Sequence, residues 1–173
     1  PKASMNEQVA ATEPTPAKKA DGSTRPVELT DGEFDGKEIA KSDEEWKKEL
    51  TAEEYNVMRE EGTERPYSGA LTKNHKHGTY YCAACGLALF KSTAKFESGT
   101  GWPSFFDVLP GAIGKRDDTR LFITRTEYHC ARCGGHQGHV FDDGPQPTGL
   151  RYCNNGVALQ FIPAENELPE LRS

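Results

Sequence analysis

The five cysteines of this 173-residue chain divide unevenly. Four stand in two C-x2-C pairs, "CAAC" at Cys82 and Cys85 and "CARC" at Cys130 and Cys133, while Cys153 in "GLRYCNNG" stands alone. The pairs are separated by 44 residues, and such a spacing can bring four thiolates to one ion. Within each pair the backbone must form a tight knuckle, helped by Gly86 after the first and by Gly134 and Gly135 after the second. Soft sulfur ligands in a tetrahedral set suit Zn2+, and a closed shell of four leaves no position for substrate, so the expected metal is structural. Two disulfides, a redox-active pair and an iron–sulfur cluster compete for the same residues, as does a mixed site recruiting His136 or His139 from "CGGHQGH".

Whatever uses four thiols leaves Cys153 over. A lone cysteine is more often a small buried hydrophobe than a nucleophile, but its neighbours point the other way. Arg151 and Asn155 lie two residues to either side, so in an extended strand the three side chains share a face. A guanidinium beside a thiol favours the thiolate, which predicts a lowered pKa and a nucleophile at neutral pH. Upstream, "HQGHVFDDGPQPTG" supplies His136, His139 and Asp143, groups able to deliver a proton or hold an acid in place, although "DDGP" is also an ordinary turn signal. Trp102 in "SGTGWPSFF" is either a packed turn residue or an aromatic wall for a small apolar group, and Phe141 joins it as a candidate substrate-facing ring.

These residues need a frame. From Ser42 the chain reads as two short helices, "SDEEWKKEL" and "TAEEYNVMRE", each opening with a capping-box pair, Ser42 with Glu45 and Thr51 with Glu54, and the second stopped by Gly62. Trp46, Leu50, Tyr55 and Met58 fall at helical spacing and are expected to dock on a core. Beyond Pro66 come short apolar runs punctuated by Gly and Pro: "GTYYC", "LALF", "FFDVL", "LFITRTEYHC", "GHVF", "RYC" and "VALQFI". Their β-branched and aromatic content predicts an antiparallel, mainly β domain over residues 38–165. Residues 1–37, rich in Ala, Pro, Lys and Glu, are expected to be a disordered tail, and residues 166–173 a polar C-terminal tail.

A net charge of −6, from 21 basic and 27 acidic side chains without a basic stripe, argues against nucleic acid as a partner. No apolar run is long enough to span a membrane. Reduced thiols and a candidate start at Met5 favour the cytoplasm, an exported chain with its leader removed being the alternative, and a monomer is the simplest assembly.

Taken in order, "CAAC", "KFESGTGWPSFF" and "RTEYHCARCGGHQGHVFDDGPQPTGLRYCNNGVALQF" resemble the B-type methionine sulfoxide reductases, enzymes that reduce the R epimer of methionine sulfoxide in oxidised proteins. The likeness runs from about Ser42 to Phe161. It implies a compact fold of two antiparallel sheets with short N-terminal helices and one structural zinc per chain on Cys82, Cys85, Cys130 and Cys133. It also implies that Cys153 is the nucleophile, that Arg151, Asn155, His136, His139 and Asp143 surround it, and that Trp102 packs on the substrate methyl group. Many members carry a resolving cysteine in the strand before "RTE", at about Leu121, and this chain has none there. The implied reductant is therefore thioredoxin, glutathione or another external thiol, with a metal-bound cysteine as alternative resolver. Two other uses fit some of the same residues: a zinc-ribbon-like protein-binding module without catalysis, and a thiol peroxide sensor.

Overall fold

Ser42 and Thr51 each open a helix by the reciprocal bonds their sequences predict. Ser42 Oγ accepts from the Glu45 amide at 3.2 Å while Glu45 Oε1 accepts from the Ser42 amide at 2.9 Å, and Thr51 with Glu54 repeats the arrangement at 3.1 and 3.0 Å. The helices are α1 (Asp43–Glu49) and α2 (Ala52–Glu60). Trp46, Leu50, Val57 and Met58 are buried and dock the pair on the sheets, while Tyr55 packs at the margin. The expected stop at Gly62 falls one residue early: Glu61 takes the left-handed conformation, φ 59°, and Arg116 meets its carboxylate at 3.2 Å.

The computed structural model describes residues 36–164, with a separate pair of two-residue strands upstream, β1 (Ala17–Lys18) and β2 (Thr24–Arg25). The expected disordered tail, 1–37, falls almost entirely outside the described residues, and the C-terminal tail, 166–173, does so completely. The remaining strands are β3 (Gly78–Cys82), β4 (Ala88–Lys91), β5 (Lys95–Phe96), β6 (Ser104–Phe105), β7 (Ile113–Asp118), β8 (Arg125–Cys130), β9 (His136–Phe141), β10 (Arg151–Asn154) and β11 (Leu159–Pro163). They form two antiparallel sheets, one of six strands in the order β5-β6-β10-β9-β8-β7 and one of three in the order β11-β3-β4. Among the described residues the protein is mainly β with two short helices, as the sequence predicts.

Differences from the expected segments have physical reasons. "IGKRDD" forms β7 although it carries no apolar alternation, because it is the sheet's outer strand and points much of its surface at water. Residues 121–124 do not extend β8; Arg120–Phe122 is a 3-10 turn whose Phe122 is fully exposed, so apolar content alone misleads there. The position equated with a resolving cysteine, Leu121, lies in this turn rather than in a strand. "VALQFI" divides into a 3-10 turn at Gly156–Ala158 and β11, which runs past Phe161 to Pro163.

The large sheet has two chemically distinct faces, because side chains alternate along each strand. Tyr128, Tyr152 and Phe105 point to the side that meets the small sheet. There Phe90 stacks on Phe105 with ring centroids 4.0 Å apart, and Tyr80 meets Phe105 edge-on at 5.0 Å. The other face carries polar groups. Reading the register across the sheet gives a single row, Phe96, Ser104, Cys153, His139, Glu127, Arg116, contributed in order by β5, β6, β10, β9, β8 and β7. Directly opposed residues of antiparallel strands project to the same side, so this row sets a thiol, a histidine and a carboxylate shoulder to shoulder.

Candidate active site and cysteine cluster

Cys153 faces His139 across the β9–β10 ladder. His136, three residues before His139, would point to the opposite face of a regular strand. A bulge between His136 and Gly138 resets the alternation, and the two imidazoles share a face with ring centroids 5.5 Å apart. Gly138 permits the close approach of β10 to β9, since a Cβ there would run into the Cys153 carbonyl oxygen.

Each histidine is held by a buried carboxylate that no local motif announces. Glu127, 1% exposed, meets His136 Nδ1 at 2.7 Å, His129 Nδ1 at 3.3 Å and Arg116 Nε at 3.0 Å. Burial alone would push this carboxyl up, but His129, His136 and Arg116 outweigh it and bring it to about 2. Asp118 meets His139 Nε2 at 2.8 Å and is clasped by Arg120 at 3.2 Å and Arg125 at 3.4 Å. Arg120 first, and then His139, hold the Asp118 carboxyl well below the usual carboxylate range. Burial pushes the His139 imidazole down, partly offset by the Asp118 bond. His136 Nε2 is buried with no hydrogen-bond partner among the described residues, so the protein leaves its hydrogen-bonding capacity unmet.

Burial pushes the Cys153 thiol up from its ordinary value, against the direction expected from Arg151 alone. The Thr100 hydroxyl, 4.0 Å from Sγ, and the Arg151 guanidinium both favour the thiolate but do not cancel desolvation. Arg151 is itself committed elsewhere: its Nε and Nη2 donate to the two Asp143 oxygens at 2.8 and 3.1 Å, and its guanidinium lies 4.3 Å from the Phe141 ring centroid. Asp143 is exposed and Arg151 holds its carboxyl below the ordinary value. Thr100 ends a hydroxyl chain, since Ser98 Oγ lies 2.8 Å from Thr100 Oγ1 and 2.7 Å from Ser104 Oγ.

Asn155 is placed differently from Cys153 and Arg151. β10 stops at Asn154, so the alternation does not reach Asn155, which is buried. Its Oδ1 accepts from the Glu64 amide at 3.0 Å and its Nδ2 donates to the Gln137 carbonyl at 3.0 Å. Glu64 is a second hub: its carboxylate accepts from the Gly156 and Val157 amides at 2.7 and 3.0 Å, and its carbonyl accepts from Trp102 Nε1 at 3.0 Å. Trp102 is thus oriented by its ring nitrogen, with the indole partly exposed beside Thr100. Sequence reading missed Glu64, Thr100, Asp118 and Glu127.

The four paired cysteines converge at one end of the core side. All four are buried, and their sulfurs lie within 4.8 Å of one another, with Cys82 to Cys133 at 3.6 Å and Cys85 to Cys130 at 3.5 Å. A disulfide needs about 2.05 Å, whereas four sulfurs about 2.3 Å from one ion stand about 3.8 Å apart. The knuckles form as expected: the Gly86 and Gly134 amides donate to the Cys82 and Cys130 carbonyls at 2.9 Å, both glycines with φ in the left-handed region. The Gly135 amide and Gln137 Nε2 donate to Cys133 Sγ and Cys82 Sγ at 3.4 and 3.6 Å, bonds suited to thiolates. Burial pushes the Cys82 thiol up, Cys133 pushes Cys130 up against an opposing effect of Cys82, and Cys130 and Cys82 hold Cys133 down. His136 and His139 are not in the cluster.

The fold and site define a β domain closed by a four-cysteine cluster, with a fifth cysteine set among histidines on the opposite face of the sheet. Residues 50–163 match the SelR domain, and the chain belongs to that family. It is 57% identical over 125 residues, 72% of this chain and 95% of the relative, to peptide methionine sulfoxide reductase MsrB of Leptospira interrogans. It is 58% identical over 126 residues to the MsrB of Methanosarcina barkeri, covering 72% of this chain and 89% of that one. With the MsrB of Leifsonia xyli subsp. xyli it shares 56% over 130 residues, 74% and 94% of the two chains.

Proposed function

We propose that the protein is an oxidoreductase that reduces methionine-R-sulfoxide in oxidised proteins to methionine, with Cys153 as nucleophile. The observation that carries this reading is the row in which Cys153 stands beside His139, with His136 brought to the same face and both imidazoles braced by buried carboxylates. The family and its similarly named relatives support the reaction class.

The Cys153 sulfur attacks the sulfoxide sulfur while an imidazolium protonates the oxygen. His136 suits this step because its Nδ1 is held by Glu127 and its Nε2 is unpartnered, whereas His139 Nε2 is taken by Asp118. The thiol and the sulfoxide together become a sulfenic acid and a thioether: the oxygen moves to Cys153, which is oxidised, and methionine sulfur is reduced. Two equivalents of an external thiol, such as thioredoxin or glutathione, then return Cys153 to the thiol, release water and form a disulfide. Trp102, anchored through Nε1, offers a wall for the substrate methyl group; Phe141 lies against Arg151, which Asp143 holds, and Asn155 holds the turn after β10.

Cys82, Cys85, Cys130 and Cys133 fit a structural Zn2+, which would tie the β3–β4 and β8–β9 connections together. The reading includes a cytoplasmic monomer; no helix among the described residues is long and apolar enough to cross a membrane. A zinc-ribbon-like binding module has no need for Glu127 and Asp118 buried against histidines beside a thiol.

The test is turnover of dabsyl-methionine sulfoxide, R and S epimers assayed separately, with dithiothreitol and then thioredoxin, for wild type and Cys153→Ser. Activity on R alone, lost in the variant, is the expected result. No turnover of either epimer by folded, zinc-loaded protein with Cys153 reduced overturns the assignment in favour of the binding module.

A further inference from the structure

Tyr67 is the residue whose conformation the site so far leaves unused. It is 62% exposed, yet its backbone sits at φ 63°, a region that costs a non-glycine residue on the order of 1–2 kcal/mol. Two bonds hold it there: its amide donates to the Gly101 carbonyl at 2.7 Å and its hydroxyl to the Gly99 carbonyl at 3.0 Å. Its ring lies flat enough on the turn that a Cβ at Gly101 would come within 2.9 Å of it. Between those two anchor points is Thr100, whose hydroxyl reaches Cys153, and immediately after them is Trp102, whose ring nitrogen bonds to Glu64 three residues before Tyr67. The segment carrying Tyr67 is therefore laced to the turn that carries Thr100 and Trp102, and it presents a rigid, exposed aromatic surface at the rim.

In the proposed reaction a free amino-acid sulfoxide would meet Cys153, Thr100, Trp102 and the imidazoles without reaching Tyr67. A polypeptide must also lay its flanking residues across the rim, and a tyrosine with two rotatable side-chain torsions, already fixed by its hydroxyl, loses little entropy in meeting them. We propose that Tyr67 is a specificity-determining residue that packs against the substrate polypeptide next to the methionine sulfoxide and supplies part of the discrimination between peptide-embedded and free sulfoxide. This rests on the reductase reading above.

The measurement is the ratio of kcat/KM for a pentapeptide containing methionine-R-sulfoxide to kcat/KM for free methionine-R-sulfoxide, in wild type, Tyr67→Ala and Tyr67→Phe. Tyr67→Ala should lower the ratio about tenfold, mainly through KM for the peptide. Tyr67→Phe, which keeps the ring but loses the hydroxyl bond to Gly99, should give a ratio between those of wild type and Tyr67→Ala. A merely structural support for the Gly99–Trp102 turn would reduce both substrates alike, and an unchanged ratio in Tyr67→Ala overturns the inference alone. Wild type inactive on both substrates overturns the reductase reading and this inference with it, so the two failures are distinct.

Discussion

Replacing Glu127 by Gln tests whether a buried carboxylate, rather than mere packing, braces the histidines. Gln keeps the shape and one carbonyl acceptor, but it turns an amide donor toward groups that now donate to Glu127: His136 Nδ1, His129 Nδ1 and Arg116 Nε. The Glu127 carboxyl falls from an ordinary 4.5 to about 2, which corresponds to roughly 3 kcal/mol favouring its charged form in the fold. Arg116 is half exposed, so some of this is screened, and the expected loss in Glu127→Gln at pH 7 is about 2–3 kcal/mol. Because the folded pKa is depressed, the stabilisation is present above the unfolded value and is lost as pH falls toward the folded one. The gap between wild type and Glu127→Gln should narrow by about 1.4 kcal/mol between pH 7 and pH 3.5. Urea unfolding of both proteins across this range reads the gap directly. Acid effects on the cysteine cluster act on both alike and cancel in the difference. A gap independent of pH would refute the reasoning, since the stabilised species would not be the carboxylate.

Other expectations follow from the same geometry. Thr100→Val removes the hydroxyl that favours the Cys153 thiolate, so the midpoint of pH-dependent iodoacetamide alkylation should move up and the rate at pH 7 should fall. Gly138→Ala drives a methyl group into the Cys153 carbonyl; a loss of about 2–3 kcal/mol by urea unfolding is expected, and wild-type stability would contradict so close an approach of β9 and β10. Chelation should release one zinc per chain and expose four further thiols to a disulfide reagent that otherwise counts Cys153, with a fall in Tm; metal-free protein of unchanged Tm would contradict a structural ion. Hydrogen peroxide should oxidise Cys153 no faster than an ordinary free thiol, because burial raises its pKa.

What the sequence disclosed and what it withheld divide by the range of the interaction. The helix starts were legible because a capping box is complete within four residues, and Ser42 with Glu45 and Thr51 with Glu54 close as written. The cysteine pairs were legible because each knuckle is a local turn, even though joining them takes the whole fold. Glu127 and Asp118 were not, because they become partners of His136 and His139 only through β7–β8–β9 register and a bulge that no residue pattern marks. Glu64 lies outside every regular element, and its carboxylate, amide and carbonyl serve residues more than 35 positions away. Asn155 illustrates the limit of a periodicity argument: strand alternation places it beside Cys153 only if the strand continues, and β10 ends one residue too soon.

The raised Cys153 thiol changes how the neighbouring Arg151 is understood. A permanently ionised cysteine would react with any small oxidant, which suits a sensor. Here burial outweighs Arg151, and Arg151 in turn is neutralised by Asp143 and laid over Phe141. The thiol therefore remains mostly protonated until a ligand changes its surroundings, and a thiolate of higher pKa is intrinsically the stronger nucleophile once formed. In the proposed reaction, a sulfoxide entering beside Trp102 would bring a polarised sulfur to Cys153 and an oxygen able to accept the proton of a neighbouring imidazolium. On that proposal the proton donor and the nucleophile would become effective together, and selectivity would come from the pocket that assembles them rather than from the reactivity of the resting cysteine.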